Sequence, residues 1–271
     1  MPILETWTLW KFSLGISLIA LNCFLFQRLH LNLSNKILVA VLRAFSQLLI
    51  VGLALNWIFL QSSMIWSLTL MSFMSCIAMI TARSRLKWRY KGLGWDLSIG
   101  FIGGCWSVTL FFIIFGPSQM GWQETQNIIP FFGFLLGSSL TGMSLTLERL
   151  TSLLSERKHI IEAEIALGAD RWEAFRPIFA TSLLTGLTPI MNTMTVVGVV
   201  SLPGIMTGQI LAGIDPFKAA IMQLSLMILN AGTTSLSCLL LSWMTLNRFF
   251  SKQHQLSPNL WNQGDTYAFT N

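Results

Sequence analysis

The sequence predicts an all-α, polytopic membrane protein of about seven transmembrane helices with a short cytoplasmic helix set between two of them. Three observations predict it. Hydrophobic residues fill 53% of the 271 positions and charged residues only 10%, against roughly a quarter charged in a soluble domain, and the mean hydropathy is +0.64. The apolar residues gather in runs long enough to cross a bilayer, which takes about 20 residues of helix. Between the runs, Lys and Arg concentrate in alternate connections.

The runs lie near 7 to 27, 37 to 59, 63 to 82, 98 to 116, 127 to 147, 181 to 202 and 219 to 246. The first has Glu5 where a signal peptide would be basic and no small-residue cleavage site after it, so it is expected to remain a helix. The second carries Arg43 and Gln47 four apart on one face, with Ser46 beside them. Arg43 sits about 9 Å of helical rise from Ile37, within snorkelling reach of the headgroups, so structural pairing and a place on a solute path both stay open. The fourth and fifth runs hold Gly100 with Gly104, and Gly133 and Gly137 with Thr141, small-residue faces that permit close helix approach within or between copies.

The sixth run is the most polar: Thr185, Gly186, Thr188, Pro189, Asn192, Thr193 and Thr195 precede Leu202-Pro203-Gly204 and a stretch rich in glycine up to Gly213. Pro189 removes a backbone donor, so a bend is expected. Irregular backbone in a membrane is tolerated where it lines a cavity or is buried in protein. Arg43, Gln47, Asn192, Met194, Gln209 and Asp215 are therefore the candidate pathway residues, although Asp215 before Pro216 is equally placed to cap the last helix. Positions 1–250 read as one membrane domain and 251–271, polar and without helical period, as a mobile cytoplasmic tail.

Orientation follows from Lys and Arg alone. Arg28 and Lys36, then Arg83, Arg85, Lys87, Arg89 and Lys91, then Arg149, Arg157, Lys158, Arg171 and Arg176, then Arg248 and Lys252 mark the cytoplasmic faces, which puts the N-terminus outside and the C-terminus inside. The net charge of +6 belongs to these loops and suits an anionic inner leaflet rather than nucleic acid. Cys23, Cys76, Cys105 and Cys238 fall in four different runs with no CxxC, as packing residues do. His30, His159 and His254 lie in loops or tail, and Met191 with Met194 reads better as packing than as a thioether site, so the metal ligands, if any, are unknown. No catalytic residue is identified: HExxH, GxSxG and a carboxylate pair are all missing.

The longest polar interval, 148–180, alternates acids and bases. Ile161, Ile165 and Leu167 with Ala163 and Ala166 form an apolar stripe, and Glu162, Glu164, Asp170 and Arg171 stay wet. Gly168 suits a helix end that needs positive φ, and Asp170 can cap the turn through Trp172 and Phe175, which predicts two short helices at an angle. The run Glu162-Ala163-Glu164, three residues, Gly168-Ala169, then Trp172, Phe175, Arg176 and Pro177 resembles the EAA-loop signature by which ABC-transporter permeases insert a coupling helix into their ATPase. With Asn192, Val196-Val197-Gly198, Ser201-Leu202-Pro203-Gly204, Met206 to Gly213 and Asp215-Pro216, it is similar to the FetB-type permease family, which includes plant relatives linked to aluminium tolerance.

That resemblance implies a membrane subunit exporting iron or another metal, two copies of it in the bilayer, and a separate ABC ATPase that uses ATP and Mg. Glu162, Ala163, Glu164, Gly168, Ala169 and Arg171 would be the coupling residues. None of the seven lysines follows a glycine, so the chain has no phosphate-cradling P-loop and is not itself the ATPase. Export of a nucleotide sugar or other anion remains compatible with Arg43 and a broken span. A motor-independent secondary transporter would want paired buried titratable groups, which the runs scarcely offer beyond Arg43. A membrane scaffold that recruits an ATPase without moving solute is the remaining alternative.

Overall fold

The computed structural model describes residues 2–31, 33–61, 63–86, 90, 92–115 and 125–249, with side chains from Ser13 onward and, after the fifth helix, from Gln126. The expected mobile tail 251–271, the basic residues Lys87, Arg89 and Lys91, and nearly all of the 117–126 connection lie outside the described residues. The chain divides into two units, Met1–Ser62 and Ser63–Asn271.

The first unit is a helical hairpin of α1 (Pro2–Arg28) and α2 (Ser34–Gln61). The reversal is made by His30 in a left-handed conformation, φ 54°, with the Leu31 N–H donating to Phe26 O at 2.8 Å. The buried Ser34 hydroxyl closes it by donating to Cys23 O at 3.1 Å.

The second unit contains α3 (Met64–Arg85), α4 (Leu93–Phe101), a π-helical turn (Ile102–Trp106), α5 (Ser107–Phe115), α6 (Thr125–Glu156), α7 (Lys158–Ala166), α8 (Arg171–Val196), α9 (Gly204–Leu211) and α10 (Pro216–Phe249). Helix α6 is its axis, packed by α3, α8 and α10. Its buried residues Phe132, Leu135, Ser139, Met143, Leu147, Leu150 and Leu154 recur every three or four positions, the spacing that keeps one helix face inward. Close approach is set by small residues. A Cβ on Gly186 of α8 would stand 2.6 Å from the Gly142 carbonyl of α6, and one on Gly104 would stand 3.1 Å from Thr233 O of α10. The Gly100 and Gly104 face therefore packs inside the protomer. The π-helical turn interrupts the fourth expected run, and at its last residue the Trp106 indole N–H donates to Ser75 Oγ of α3 at 3.0 Å; such turns often fall at functional sites.

Among the described residues five helical segments are long and apolar enough to cross a membrane: Ser34–Gln61, Met64–Arg85, Leu93–Phe115, Gln126–Glu156 and Pro216–Phe249. The described apolar part of α1, Ser13–Arg28, is shorter. Helix α8 differs from expectation in extent. It starts at Arg171, ten residues before the expected run at 181, and runs through Pro177 and Pro189 to Val196. The second short helix expected after Asp170 is thus the first turns of a long one, and the helical run is interrupted at 197–203, beyond the proline.

Candidate functional site

Helix α7 follows α6 after a single residue, Arg157, whose N–H still donates to Leu153 O at 2.9 Å. It ends in a left-handed glycine, Gly168 at φ +100°. There the Gly168 N–H donates to Ile165 O and the Ala169 N–H to Glu164 O, both at 3.0 Å, the paired bonds of a Schellman end. Asp170 then opens α8 in a capping box, its own N–H donating to Glu173 Oε2 at 3.1 Å, which satisfies donors that a helix start otherwise leaves free. The start of α8 is held further in by Trp172, whose ring lies 5.4 Å from Phe179 and 6.2 Å from Trp243 of α10.

One face of α7 is anchored and the other is free. Ile161 is buried and Ile165 packs against the same core cluster, with Phe175 and Ile178 of α8. The opposite face carries Ile160, Ala163, Glu164 and Leu167, one helical row, with Leu167 89% exposed. The stripe expected from sequence is therefore split: Ile161 and Ile165 hold the helix down, while Ala163, Ala166 and Leu167 point away from the protein. Glu162 is partly engaged by Lys158 at 3.9 Å and His159 at 3.7 Å, surface contacts worth little. Gly168 and Arg171 are exposed and Ala169 half-buried.

A short helix with the same ending stands before α10. Gly213, φ +90°, follows α9, and the Gly213 and Ile214 N–H groups donate to Ile210 O and Gln209 O. Asp215 Oδ1 accepts from the Phe217 and Lys218 N–H groups at 3.1 Å. Asp215 is thus an N-cap, the second of its two sequence readings.

The sequence reading missed a charge pair on a buried carboxylate. Asp96, fully buried in the first turn of α4, accepts from Arg248 Nη2 at 2.7 Å and from Nε at 3.0 Å. The Tyr90 hydroxyl donates to Asp96 Oδ2 at 2.9 Å and meets Thr245 Oγ1 at 3.0 Å. Burial, then the Asp96 charge, holds the Tyr90 phenol well above its ordinary range, so it stays protonated and donates. Asp96 near a helix start and Arg248 near a helix end each meet the favourable pole of the helix dipole. Both residues lie just outside the runs expected at 98 to 116 and 219 to 246, so neither counted among the titratable groups of the spans. The two members of the pair lie 152 residues apart in sequence, and the approach leaves no room at Gly92, where a Cβ would strike the Arg248 guanidinium.

A cavity of about 350 Å³ lies between α6, α8 and α10. Gln223, Asn230 and Thr234 line it from α10, Ser138 from α6 and Thr193 from α8. The Asn230 amide donates to Ser138 Oγ at 2.8 Å, and Thr193 donates back to Pro189 O at 2.9 Å. Gln223 Oε1, Asn230 Oδ1 and Thr234 Oγ1 are buried with no partner in the chain, a condition that costs about 1 to 3 kcal/mol per group. Of the expected pathway residues, Asn192 and Met194 are exposed neighbours of Thr193 and do not line the cavity. Gln209 Oε1 on α9 is likewise buried without a partner. Arg43 and Gln47 are exposed on α2 in the first unit. Among the described residues no group of three His, Cys, Asp or Glu is arranged to hold a metal directly.

No solved structure matches this chain. Among curated proteins it is 35% identical over 228 residues to the UPF0014 membrane protein slr1647 of Synechocystis, covering 83% of this chain and 87% of the relative. It is 29% identical over 244 residues to the Probable iron export permease protein FetB of Escherichia coli, covering 90% and 93%. With the protein ALUMINUM SENSITIVE 3 of Arabidopsis thaliana it shares 28% identity over 237 residues, 85% and 83% of the two chains. The model of the uncharacterised protein family UPF0014 matches residues 9–250, so the chain, with its several membrane-length apolar helices, belongs to the UPF0014 family of membrane proteins.

Proposed function

We propose that this protein is the membrane-spanning subunit of an ABC transporter that exports iron or another metal ion, working as two copies with two copies of a separate ATPase that binds ATP and Mg. In this reading α1 and α8 cross the bilayer with the five more apolar segments, the N-terminus is outside, and α7 lies in the cytoplasm of a bacterial cell. The observation that carries the reading is α7 itself. It is a nine-residue helix fixed by Ile161 at its base and presenting Ile160, Ala163, Glu164 and Leu167 outward, the shape of a knob made for a groove. Its likeness to the EAA loop, and the name of the FetB relative, point to an ATPase as owner of that groove and to a metal as cargo.

Closure of the ATPases on nucleotide would pull α7. Because α7 and α8 are joined by two capped turns and a shared core, the displacement passes to α8 and from there to α6 and α10, shifting the population between two exposures. The test is reconstitution of the chain with its ATPase in proteoliposomes. Glu164→Lys alters only the outward face of α7, and Gly168→Arg adds a left-handed backbone cost of about 1 to 2 kcal/mol at its end, so both variants are expected to fold and insert while ATP hydrolysis and metal export become uncoupled. Normal export by either variant would remove α7 from the coupling path.

A further inference from the structure

The interruption after α8 falls well inside the bundle. The apolar stretch of α6 is bounded by Gln126 and Asn127 at one end and by Glu148 and Arg149 at the other. The residues between, 128–147, rise about 30 Å, one hydrocarbon core, and Ser138 lies midway along them. Helix α8 runs antiparallel to α6 from the contact of Gly186 with Gly142, and Thr193 and Pro203 line a common cavity with Ser138 and Phe134. That register puts Asn192, next to Thr193, near the middle of the core, and the turn at 197–203 beside Phe134, about 10 Å of helical rise inside Asn127.

The free side of α8 does not suit lipid at that depth. Thr181, Thr188, Asn192 and Thr195 share one exposed face. The three hydroxyls donate to the carbonyls of Pro177, Leu184 and Met191, but the Asn192 amide has no partner among the described residues. In the turn, Val199 and Val200 are 92% and 78% exposed, and neither the Val199 and Leu202 N–H groups nor the carbonyls of Gly198, Val199 and Val200 are bonded to the described chain. A primary amide and an open turn within a hydrocarbon core require protein or water beside them. Helix α10 is the contrast, since its outward Ile221, Leu224, Ile228 and Leu236 are all apolar.

A second copy of the chain fits this face. From Pro177 to Ile214 there is no Asp, Glu, Lys, Arg or His, so the face can meet its own copy across a two-fold axis, where each residue opposes itself or a near neighbour, without setting like charges together. Gly204 and Gly208 of α9, four apart with open space beside both, allow the two backbones to come close. We infer that α8 faces α8 of a second copy, with Val199 and Val200 of the two chains in contact at the outer end and Thr181, Thr188, Asn192 and Thr195 of both lining a water-filled path. The inference rests on the two-copy permease reading above and gives its solute path a place.

The experiment uses the full chain with its four cysteines replaced and single cysteines added. In bacterial membranes, copper phenanthroline is expected to convert most of Val199→Cys or Val200→Cys to a disulfide-linked dimer, while Leu224→Cys on α10 stays monomeric. In phosphatidylcholine nanodiscs, a charged methanethiosulfonate is expected to modify Thr188→Cys and Asn192→Cys about tenfold or more faster than Ile228→Cys, because the thiolate that reacts forms in water and not in lipid. Ile228 is a fair control, being 56% exposed and two residues from Asn230, which bonds Ser138 at the same depth. Native-like melting temperatures qualify each variant, and either member of each pair serves alone if the other misfolds. Labelling no faster than at Ile228→Cys would put the face in lipid and overturn the inference. Labelling with no linked dimer at either valine would overturn it too, leaving a wet face without a second copy, as would a linked dimer with unreactive Thr188→Cys and Asn192→Cys, a dry seam. ATPase stimulation is scored on the same preparation: linked and labelled chains that stimulate no ATPase sink the ABC reading and leave the paired face, and stimulation with neither readout does the reverse.

Discussion

Arg248 reaches Asp96 with two nitrogens, and Asp96 also accepts from Tyr90, so the carboxylate is buried but well supplied with donors. Removing one member of such a pair leaves the other charge unmatched, at about 3 to 5 kcal/mol. Arg248→Ala is therefore expected to lower the melting temperature in detergent sharply. Arg248→Lys, which keeps the charge and loses the fork, should fall between it and the native protein, and Asp96→Asn with Arg248→Met should recover part of the loss. If Arg248→Ala melts like the native chain, the pair does not hold α4 to α10. Gly92 tests the same contact from the other side. At φ +98° a side chain costs about 1 to 2 kcal/mol, and in Gly92→Ala the new methyl would also displace Arg248, so a loss larger than the backbone cost alone is expected in the same melt.

Helix α7 has two faces with opposite duties, and substitutions should separate them. Ile161→Ala removes a buried side chain and is expected to cost about 2 to 5 kcal/mol, read as a lower melting temperature. Leu167→Ser, at an exposed position, should stay within about 0.5 kcal/mol of the native protein and yet abolish stimulation of the partner ATPase. Equal effects on stability from both would mean that the outward face is not free. For α8, the close pass of Gly186 over Gly142 sets its distance from α6. Gly186→Leu is expected to force the two apart and reduce the folded yield on size-exclusion chromatography.

Across the whole molecule, the two short helices α7 and α9 carry the same sequence of devices: a Schellman glycine, one residue, then an aspartate that opens a long helix. In the proposed topology they lie at opposite surfaces. On a background with its four cysteines replaced, Leu167→Cys is expected to react with a membrane-impermeant maleimide only in inside-out vesicles, and Leu211→Cys only in right-side-out cells. Both positions are more than 80% exposed, so accessibility within the protein does not limit either reaction. Labelling of both from one side would place α8 outside the bilayer and remove the lever.

What the sequence determined by itself were features encoded over short distances. Of the seven apolar runs, five coincide with membrane-length apolar helices among the described residues, because burial in lipid depends on local composition. Gly168, Asp170 and Asp215 marked their turns, because caps are made by neighbours within a few residues. The end of α8 was less legible, since neither Pro177 nor Pro189 stops it and the chain breaks only after Val196. Tertiary structure decided the rest. It split the α7 stripe into an anchored and a free face, brought Asp96 to Arg248 across 152 positions, and gathered Gln223, Asn230 and Thr234 around one cavity, since each of these depends on which helix packs beside which, a choice that no single segment carries.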